Sequence, residues 1–341
     1  MRFQLLRRGT LAVVVIGIVF ALVSPPAIAS SRSFDVGRLE TLVSYDPARG
    51  EFAESVALAP DGTVYVSLIG GGAIDVREPD GSSRRVTLPV EQVGTLAVGA
   101  RESLYPSSFA PAALWRIDGA GGNAPVAVKL AALPEGSAPN GITFDRRGNL
   151  YAADSNLGLV WQLPRRGAGH TGTARAWADG PLLAVGDTVK IPGFEQFPVP
   201  GPNGIKVFRG DVYVANSSTA RILRIPIDPR GQAGQVSVAY DGVIADDFAF
   251  DVHGSLYATT DPFNTVDRIR PDGTKETLLT AADGLAGPSA VAFGTSRGDR
   301  TSMYITNLSF FEPTPRPSLQ RVDVGVPGYR IPLGPPGADC R

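Results

Sequence analysis

The chain of 341 residues contains 43% hydrophobic and 19% charged residues, with 40 Gly and 29 Pro, a composition that is typical of a globular protein and excludes a disordered or fibrous one. Residues 1–29 hold three arginines and no acidic residue, so residues 30–341 carry 29 basic and 33 acidic groups. This balance argues against binding to a nucleic-acid backbone, which requires clustered positive charge. The one cysteine, Cys340, excludes an intrachain disulfide and a zinc site built on cysteines.

The first 29 residues have the pattern of an export signal. Their arginines precede an apolar run from Leu11 to Val23, and Ala27-Ile28-Ala29 has the small-x-small form of a cleavage site. The run has 13 residues, fewer than the roughly 20 that a membrane-spanning helix needs. We therefore expect cleavage after Ala29, a secreted or periplasmic mature protein and no membrane association. Retention of residues 1–29 as an N-terminal anchor is the alternative.

One sequence unit recurs six times in the remaining chain. Each copy consists of an apolar strand, a glycine-bearing turn and a second strand that contains a tyrosine. The opening residues of the copies are Glu54, Gly94, Asn140, Asn203, Asp246 and Ser289. They lie 40, 46, 63, 43 and 43 residues apart, and four short strands repeated at such intervals are typical of a β-propeller blade. We therefore predict an all-β fold, a six-bladed β-propeller of four-stranded blades over residues 30–341.

The two ends of the repeat region indicate how the ring closes. The segment LETLVSY (residues 39–45) precedes the first copy as a fourth strand would, and SLQRVDV (residues 318–324) ends the last copy. The N-terminal strand is therefore predicted to complete the final blade, which leaves no open sheet edge. The Pro- and Gly-rich tail, about residues 325–341, is expected to lie over the outside of this single domain.

The opening residues of the copies are the candidate ligands of a functional site. The first strand of each blade lines the channel of a propeller, so these residues are expected to meet near the axis at one end. Four of them, Glu54, Asn140, Asn203 and Asp246, offer carboxylate or amide oxygens, and none offers sulfur or imidazole. Calcium takes six to eight such oxygens with flexible geometry. The sequence therefore predicts an axial Ca²⁺ site.

The Asn-Gly pairs that begin at Asn140 and Asn203 have another explanation, because this pair is common in hairpin turns. In each copy, however, a glycine-bearing turn follows about eight residues later, and both Asn occupy the register of Glu54 and Asp246. Asp247 competes with Asp246 for this register, but the gapless alignment of the copies puts Asp246 at the opening position.

These openings resemble the gluconolactonase and regucalcin family of six-bladed propellers, relatives of diisopropylfluorophosphatase and the paraoxonases. The resemblance covers about residues 35–325 and is carried by PNGITFDRRGNLY and GPNGIKVFRGDVYVAN. It implies a catalytic Ca²⁺ bound by one Glu, two Asn and one Asp, which match Glu54, Asn140, Asn203 and Asp246 here, and hydrolysis of lactones or phosphotriesters. One departure is that Asp247 stands where many relatives have glycine, which adds a carboxylate near the site.

A cation bound at the predicted axial site would define what the catalytic carboxylate does. Calcium with open positions polarises an ester carbonyl and holds water beside it. Asp246 is the predicted catalytic residue, as general base or nucleophile, and a purely ligating role is the alternative. Ser289 lacks the spacing of a serine nucleophile, so it is expected to line the pocket, as is Asp247. His170 is expected in a solvated loop and His253 in a turn. Neither histidine is therefore predicted to be catalytic.

The long third interval contains about twenty extra residues between Trp161 and Asn203. The segment 164–202 is rich in Pro, Gly and aromatic residues and is predicted to be a loop. We expect it to form a pocket wall or lid in which Phe194 and Phe197 contact substrate, or else an Ω-loop packed on itself.

Two functions of different classes follow from these observations. The first is an exported Ca²⁺-dependent hydrolase, a lactonase or esterase, that acts as a monomer on a small-molecule substrate. The second is a non-catalytic propeller, similar to NHL-repeat modules, that binds a protein, peptide or glycan. A strictosidine-synthase-like propeller is a third alternative, and the four oxygen donors argue against it. A cation with open positions above a pocket would distinguish the first function from the second.

Overall fold

The fold is a closed ring of six four-stranded antiparallel sheets, as the repeat predicts. A computed structural model describes residues 36–337 except residues 102, 168, 171, 192–194, 196 and 197. The predicted export signal, Phe194, Phe197 and Cys340 therefore lie outside the described residues. Among the residues described, no helix is long and apolar enough to span a membrane.

The blades follow one another along the chain, and first strands of neighbouring blades contact each other around the ring. An N-terminal strand, β1 (Glu40–Ser44), precedes blade 1. Blade 1 contains β2 (Ala53–Leu58), β3 (Val64–Leu68), β4 (Ala73–Arg77) and β5 (Ser83–Thr87). Blade 2 contains β6 (Gln92–Val98), β7 (Leu104–Ala110), β8 (Ala112–Asp118) and β9 (Val126–Ala132). Blade 3 contains β10 (Pro139–Phe144), β11 (Leu150–Asp154), β12 (Leu159–Leu163), a small hairpin of β13 (Arg165–Arg166) and β14 (Gly169–His170), and β15 (Arg175–Ala178).

The second half of the ring repeats this arrangement. Blade 4 contains β16 (Pro202–Phe208), β17 (Asp211–Asn216), β18 (Arg221–Pro226) and β19 (Ser237–Asp241). Blade 5 contains β20 (Phe248–Phe250), β21 (Leu256–Thr260), β22 (Thr265–Ile269) and β23 (Lys275–Leu279). Blade 6 contains β24 (Pro288–Phe293), β25 (Ser302–Asn307) and β26 (Ser318–Asp323). Four 3₁₀ helices lie between strands: η1 (Pro47–Arg49), η2 (Ser217–Thr219), η3 (Asp261–Phe263) and η4 (Ala281–Asp283).

The N-terminal strand closes the ring, as predicted. Strand β1 pairs antiparallel with β26, so the last sheet has the order β1-β26-β25-β24. The first and last strands of the described chain thus share one sheet, and its outer edge is formed by β1.

The segment 164–202 is only partly a loop, which corrects the sequence-based prediction. It begins with the hairpin β13–β14, and it contains β15, the fourth strand of blade 3, which pairs with β12. An outer strand is needed there to pair with the free edge of β12. The backbone that follows is anchored on blade 4, where the Asn216 amide donates to the carbonyls of Leu182 and Ala184 at 3.0 Å each.

The recurring tyrosine and the turn before it stabilise each other. In blade 3, Asp145 Oδ1 accepts hydrogen bonds from backbone amides of its own turn, and Oδ2 accepts one from the Tyr151 hydroxyl at 3.1 Å. Blade 5 repeats the arrangement with Asp251 and Tyr257 at 3.2 Å. Both tyrosines are fully buried. The motif therefore ties each turn to the core, which explains why it recurs in the sequence.

The C-terminal tail crosses one end of the central channel instead of lying over the outside. The Tyr329 amide donates to the Phe250 carbonyl of blade 5 at 2.8 Å, and the Gly334 amide donates to the Val98 carbonyl of blade 2 at 3.0 Å. Leu333 and other tail residues border a largely apolar cavity of about 270 Å³ together with the first strands. The tail takes this course because the first strands end in apolar side chains that it covers from water.

Neighbouring first strands approach each other closely around the channel. The Gly204 amide donates to the Asp246 carbonyl of the next blade at 2.8 Å. A Cβ at Gly204 would lie 2.6 Å from Asp247 Oδ1 and 2.7 Å from Asp247 Cα. Gly141 meets the Asn203 backbone of the next blade in the same way. The Asn-Gly pairs therefore lie within β10 and β16, and contact between strands, not a turn, requires glycine there.

We expect Gly204→Ala to lower the free energy of unfolding by about 1–3 kcal/mol, because the added methyl group meets backbone that cannot move aside. Urea denaturation of the variant and of wild type measures the difference. Gly298→Ala is the matched control, since an added Cβ there meets no atom within 4 Å. Equal stabilities of the two variants would show that the first strands tolerate wider spacing.

Candidate metal centre and active site

In five of the six copies, the opening residue lies at a β-bulge in the first strand, whereas Asp246 of blade 5 lies just before β20. In blade 1, Ala53 pairs with Leu68 and Ser55 pairs with Ser67, so Glu54 is an extra residue without a partner. The same register shift occurs at the openings of blades 2, 3, 4 and 6. Because a bulge takes its extra residue out of the regular alternation, it turns the opening side chains toward the channel axis.

Hydroxyl groups on four second strands support these bulges. They share one register position and are Ser67, Ser107, Thr259 and Thr306. In blade 2, Ser107 Oγ accepts a hydrogen bond from the Thr95 amide at 3.0 Å and donates one to the Asn140 carbonyl of blade 3 at 3.1 Å. Thr306 similarly contacts the Glu54 carbonyl at 3.3 Å. The hydroxyls of Ser107, Thr259 and Thr306 therefore link the opening of their own blade to the opening of the next one.

The structure brings the predicted oxygen donors of four blades to one end of the channel. Asn203 Nδ2 donates to Asp246 Oδ1 at 2.7 Å and to Ser217 Oγ at 3.2 Å. Glu54 is 7% exposed, and its Oε2 is buried without a hydrogen-bond partner. The Asn140 side chain is also buried and makes no hydrogen bond with any described residue. We call Glu54, Asn140, Asn203 and Asp246 the axial ring.

Asp247 faces away from the axial ring, although it follows Asp246 directly. Its Oδ1 accepts a hydrogen bond from Lys206 Nζ, and both side chains are nearly buried. The pair lies in the wall of the 270 Å³ cavity below the axial ring. Asp246 accepts a hydrogen bond from Asn203 and Asp247 accepts one from Lys206, so the two adjacent carboxylates have different partners.

Asp261 is a further carboxylate at this end, and the sequence analysis missed it. It is 6% exposed, and its Oδ1 is buried without a hydrogen-bond partner. It lies four residues after the blade tyrosine, in the register of Ser155 and Ser217, and Ser217 touches the axial ring through Asn203. Comparison of the copies at the position four residues after the tyrosine would have identified the Asp261 carboxylate.

Burial raises the pKa values of Glu54, Asp246 and Asp261. Burial, and secondarily the negative charge of Asp261, raises the pKa of Glu54 to about 8. Burial and then the charge of Glu312 raise the pKa of Asp261 to about 7. The pKa of Asp246 is also raised, by burial and then by Glu54. In the absence of a cation, proton binding therefore lowers the electrostatic free energy of placing these carboxylates together.

The donors of the axial ring fit a hard divalent cation. The buried Glu54 Oε2 and the Asn140 amide lack partners, and carboxylate and amide oxygens without sulfur or imidazole suit Ca²⁺. Within the described part of the chain, no group of three or more His, Cys, Asp or Glu side chains is placed to hold a metal ion. A cation at this site would therefore depend on Asn140 and Asn203 as well as on the two carboxylates.

The other two opening residues do not contribute a donor to the axial ring. Ser289 is 2% exposed, and its hydroxyl donates to the Ala53 carbonyl of blade 1 at 3.0 Å. Gly94 has no side chain, and a Cβ there would lie 3.2 Å from the Phe109 ring. The same Cβ would lie 2.5 Å from Ser107 Oγ, so blade 2 leaves no room for a donor side chain at its opening.

Neither histidine is near the axial ring. His170 is buried, contrary to the prediction of a solvated loop, because the hairpin β13–β14 packs it against Tyr105 and Phe144. Its Nε2 lies 2.8 Å from the Gly148 carbonyl oxygen, and burial lowers its pKa to about 4. His253 is exposed in the turn after β20. Both lie at the end of the blades away from the axial ring.

Solved structures of similar shape have low sequence identity to this chain. No protein-family model and no curated protein sequence matches the chain. A luciferin-regenerating enzyme superposes with a TM-score of 0.66 at 14% identity, over 87% of this chain and 99% of that one. Regucalcin from Agrobacterium tumefaciens, described as a calcium-binding protein, has a TM-score of 0.65 at 18% identity over 87% and 96% of the two chains.

A gluconolactonase from Xanthomonas campestris has a TM-score of 0.61 at 18% identity, over 85% of this chain and 90% of that one. These likenesses span nearly the whole of the similar chains. They show that the chain shares the propeller fold of gluconolactonase and regucalcin, as the resemblance in the sequence predicts.

We expect the protein freed of divalent cations to lose stability as the pH rises from about 5 to 8. Because Glu54 and Asp261 have raised pKa values in the folded state, the folded protein holds more protons than the unfolded chain in this window, and rising pH removes that stabilisation. Each group contributes up to about 1.4 kcal/mol per pH unit.

Urea denaturation of the cation-free protein across this pH window measures the effect. Glu54→Gln should flatten the pH dependence, whereas Asp241→Asn, which alters an exposed carboxylate on the outer strand of blade 4, should leave it unchanged. A pH dependence that is the same in all three proteins would contradict the assignment to Glu54.

Proposed function

We propose that the chain is a calcium-dependent hydrolase that opens lactones or related esters at the axial ring. The observation that carries this proposal is that the openings of four blades lie at one end of the channel, where Asn203 donates to Asp246 and Glu54 Oε2 is buried without a hydrogen-bond partner. The resemblance of these openings to the gluconolactonase and regucalcin propellers supports the reaction class. Neighbouring structures described as a calcium-binding regucalcin and a gluconolactonase support the choice of metal and substrate.

Glu54, Asn140, Asn203 and Asp246 are the residues proposed to hold the cation. Calcium bound there would act as a Lewis acid on the ester carbonyl. Glu54 supplies buried negative charge, and Asn203 orients Asp246 through the 2.7 Å hydrogen bond. The unpaired Asn140 amide is available to the cation or to the substrate.

Asp246 is the proposed proton acceptor. Its Oδ1 is held by Asn203, and we propose that its Oδ2 reaches a water molecule, since the residue as a whole is not fully buried. As the water oxygen attacks the carbonyl carbon, Asp246 takes the proton that leaves this water. The bond between the carbonyl carbon and the ring oxygen then breaks, the ring oxygen receives the proton, and a hydroxy acid is released.

Aromatic side chains at the same end are proposed to contact the apolar part of the substrate. Phe109 stands beside Gly94. Phe52, which precedes the first strand of blade 1, packs edge-on against Phe310 with ring centroids 5.8 Å apart, and Phe310 is 56% exposed. The proposed contacts through Phe194 and Phe197 lie outside the described residues.

We expect calorimetric titration of the chelator-treated mature protein to show one Ca²⁺ site. Asn140→Ala and Asp246→Asn should each weaken binding at least roughly tenfold, because each removes a ligand oxygen or its charge. Asp246→Asn should also lower the rate of lactone hydrolysis by about 10²–10⁴. Asn156→Ala, an exposed position of the same blade as Asn140, and Asp241→Asn are the matched controls.

Unchanged calcium affinity in both axial-ring variants would overturn the metal site. Calcium binding that is lost in the variants, together with no hydrolysis of any lactone, ester or phosphotriester, would overturn the enzymatic proposal and leave the non-catalytic binding propeller.

We also propose that the protein is exported and acts outside the cytoplasm after cleavage. The pattern in residues 1–29 carries this proposal. The expected result is that intact-mass analysis of protein recovered from the periplasm or medium finds an N-terminus at Ser30. A chain that begins at Met1 in a membrane fraction would indicate an uncleaved anchor instead.

A further inference from the structure

A cavity lined by arginines lies on the face of the propeller opposite the axial ring. First strands begin at the axial ring, so the turns that follow first and third strands lie at the other end. The turn 145–149, the residues after β12 in blade 3 and the turn 228–231 in blade 4 border a cavity of about 390 Å³. We call this the arginine cavity.

The arginine cavity has strong positive charge without acidic neighbours in its lining. Its charged lining residues are Arg147, Arg165, Arg175 and Arg230, and among the described residues no Asp or Glu lines it. The amides of Asn149 and Gln162 complete the polar lining. The whole chain has a formal charge of −1, so this local excess is not a general property of the surface. All four arginines are exposed, so the cavity is open to solvent, and their combined charge would attract an anion into it.

Two turns of the same form present arginines to the arginine cavity. Arg147 follows Asp145 by two residues and Arg230 follows Asp228 by two, and in each turn the aspartate Oδ1 accepts the arginine backbone amide, at 2.9 and 2.8 Å. These carboxylates are occupied by the amides of their own turns, so they do not pair with the guanidinium groups. A Cβ at Gly231 would lie 3.9 Å from Arg147 Nη1, so Arg147 reaches across to blade 4.

The other two arginines are oriented by fixed polar groups. Arg175 Nε and Nη2 donate to Gln162 Oε1 at 3.0 and 2.7 Å. Gln162 is 2% exposed and is itself held by the Tyr151 hydroxyl at 2.9 Å. Arg165 Nε donates to the Gly167 carbonyl at 3.1 Å. The remaining N–H groups of these guanidinium groups are available to a ligand.

The side chains of Arg147 and Arg230 make no hydrogen bond or ion pair with a described residue. Two oriented and two unengaged guanidinium groups around one cavity match the several oxygens of a tetrahedral anion, because each guanidinium can donate two parallel hydrogen bonds. We propose that the arginine cavity binds a small tetrahedral oxyanion, a phosphate or sulfate group, either free or as the ester group of a small molecule. This site is independent of the proposed hydrolytic function.

Calorimetric titration of cation-free protein with inorganic phosphate tests the proposal, and titration with glycerol 3-phosphate distinguishes the free anion from the ester. We expect one site per chain, competition by sulfate but not by acetate, and weaker binding as sodium chloride screens the charges. The double variant Arg147→Gln/Arg230→Gln should bind at least tenfold more weakly. It should keep its fold, because neither side chain has a partner to lose, and circular dichroism checks this.

The matched control is Arg38→Gln/Arg297→Gln, which removes the same charge from exposed positions outside the cavity. Binding that is retained in this control and in Asp246→Asn supports the arginine cavity as the site. No phosphate or sulfate binding in wild type overturns the proposal. Equal losses in the two double variants also overturn it, because they show an effect of net charge alone.

Discussion

Six first strands must meet around one narrow axis, and the candidate site depends on how they do so. Where neighbouring strands touch, Gly204 has no room for a Cβ beside the Asp246-Asp247 backbone. At the same level a bulge releases the opening residue of a blade from the regular alternation, as it does Glu54. The requirement for close packing thus also places polar side chains where six blades converge.

This placement has an electrostatic consequence. Glu54 and Asp246 are brought together with Asp261 in a region where water is largely excluded, so the charged forms are disfavoured. Proton uptake and cation binding are the two ways to relieve that cost. The hydrogen bond from Asn203 to Asp246 holds one carboxylate in place, whereas the Glu54 Oε2 has no protein partner. A site so arranged is poorly explained as core packing and well explained as a place for a cation.

Much of the fold follows from local sequence, because each blade is a chain of hairpins whose partners are close neighbours. The period of the copies was sufficient to predict six blades, and the register of Glu54 and Asn140 was sufficient to select the axial positions. Asp261 was not predicted as a site residue because only the opening position of the repeat was compared between copies. His170 was misjudged because glycine and arginine around it indicate a solvated loop, whereas the hairpin β13–β14 folds back and buries it.

The sequence by itself determined the blade number and the closing strand, since these depend on residues that recur at a regular interval, and the same recurrence is the basis for predicting the oxygen donors. Only the tertiary structure decided that Asp247 pairs with Lys206 below the axial ring and that the tail crosses the channel near Tyr329. It also decided that Arg147 and Arg230 of different blades share one cavity. These features join segments that are distant along the chain, and no local pattern specifies which distant surfaces meet.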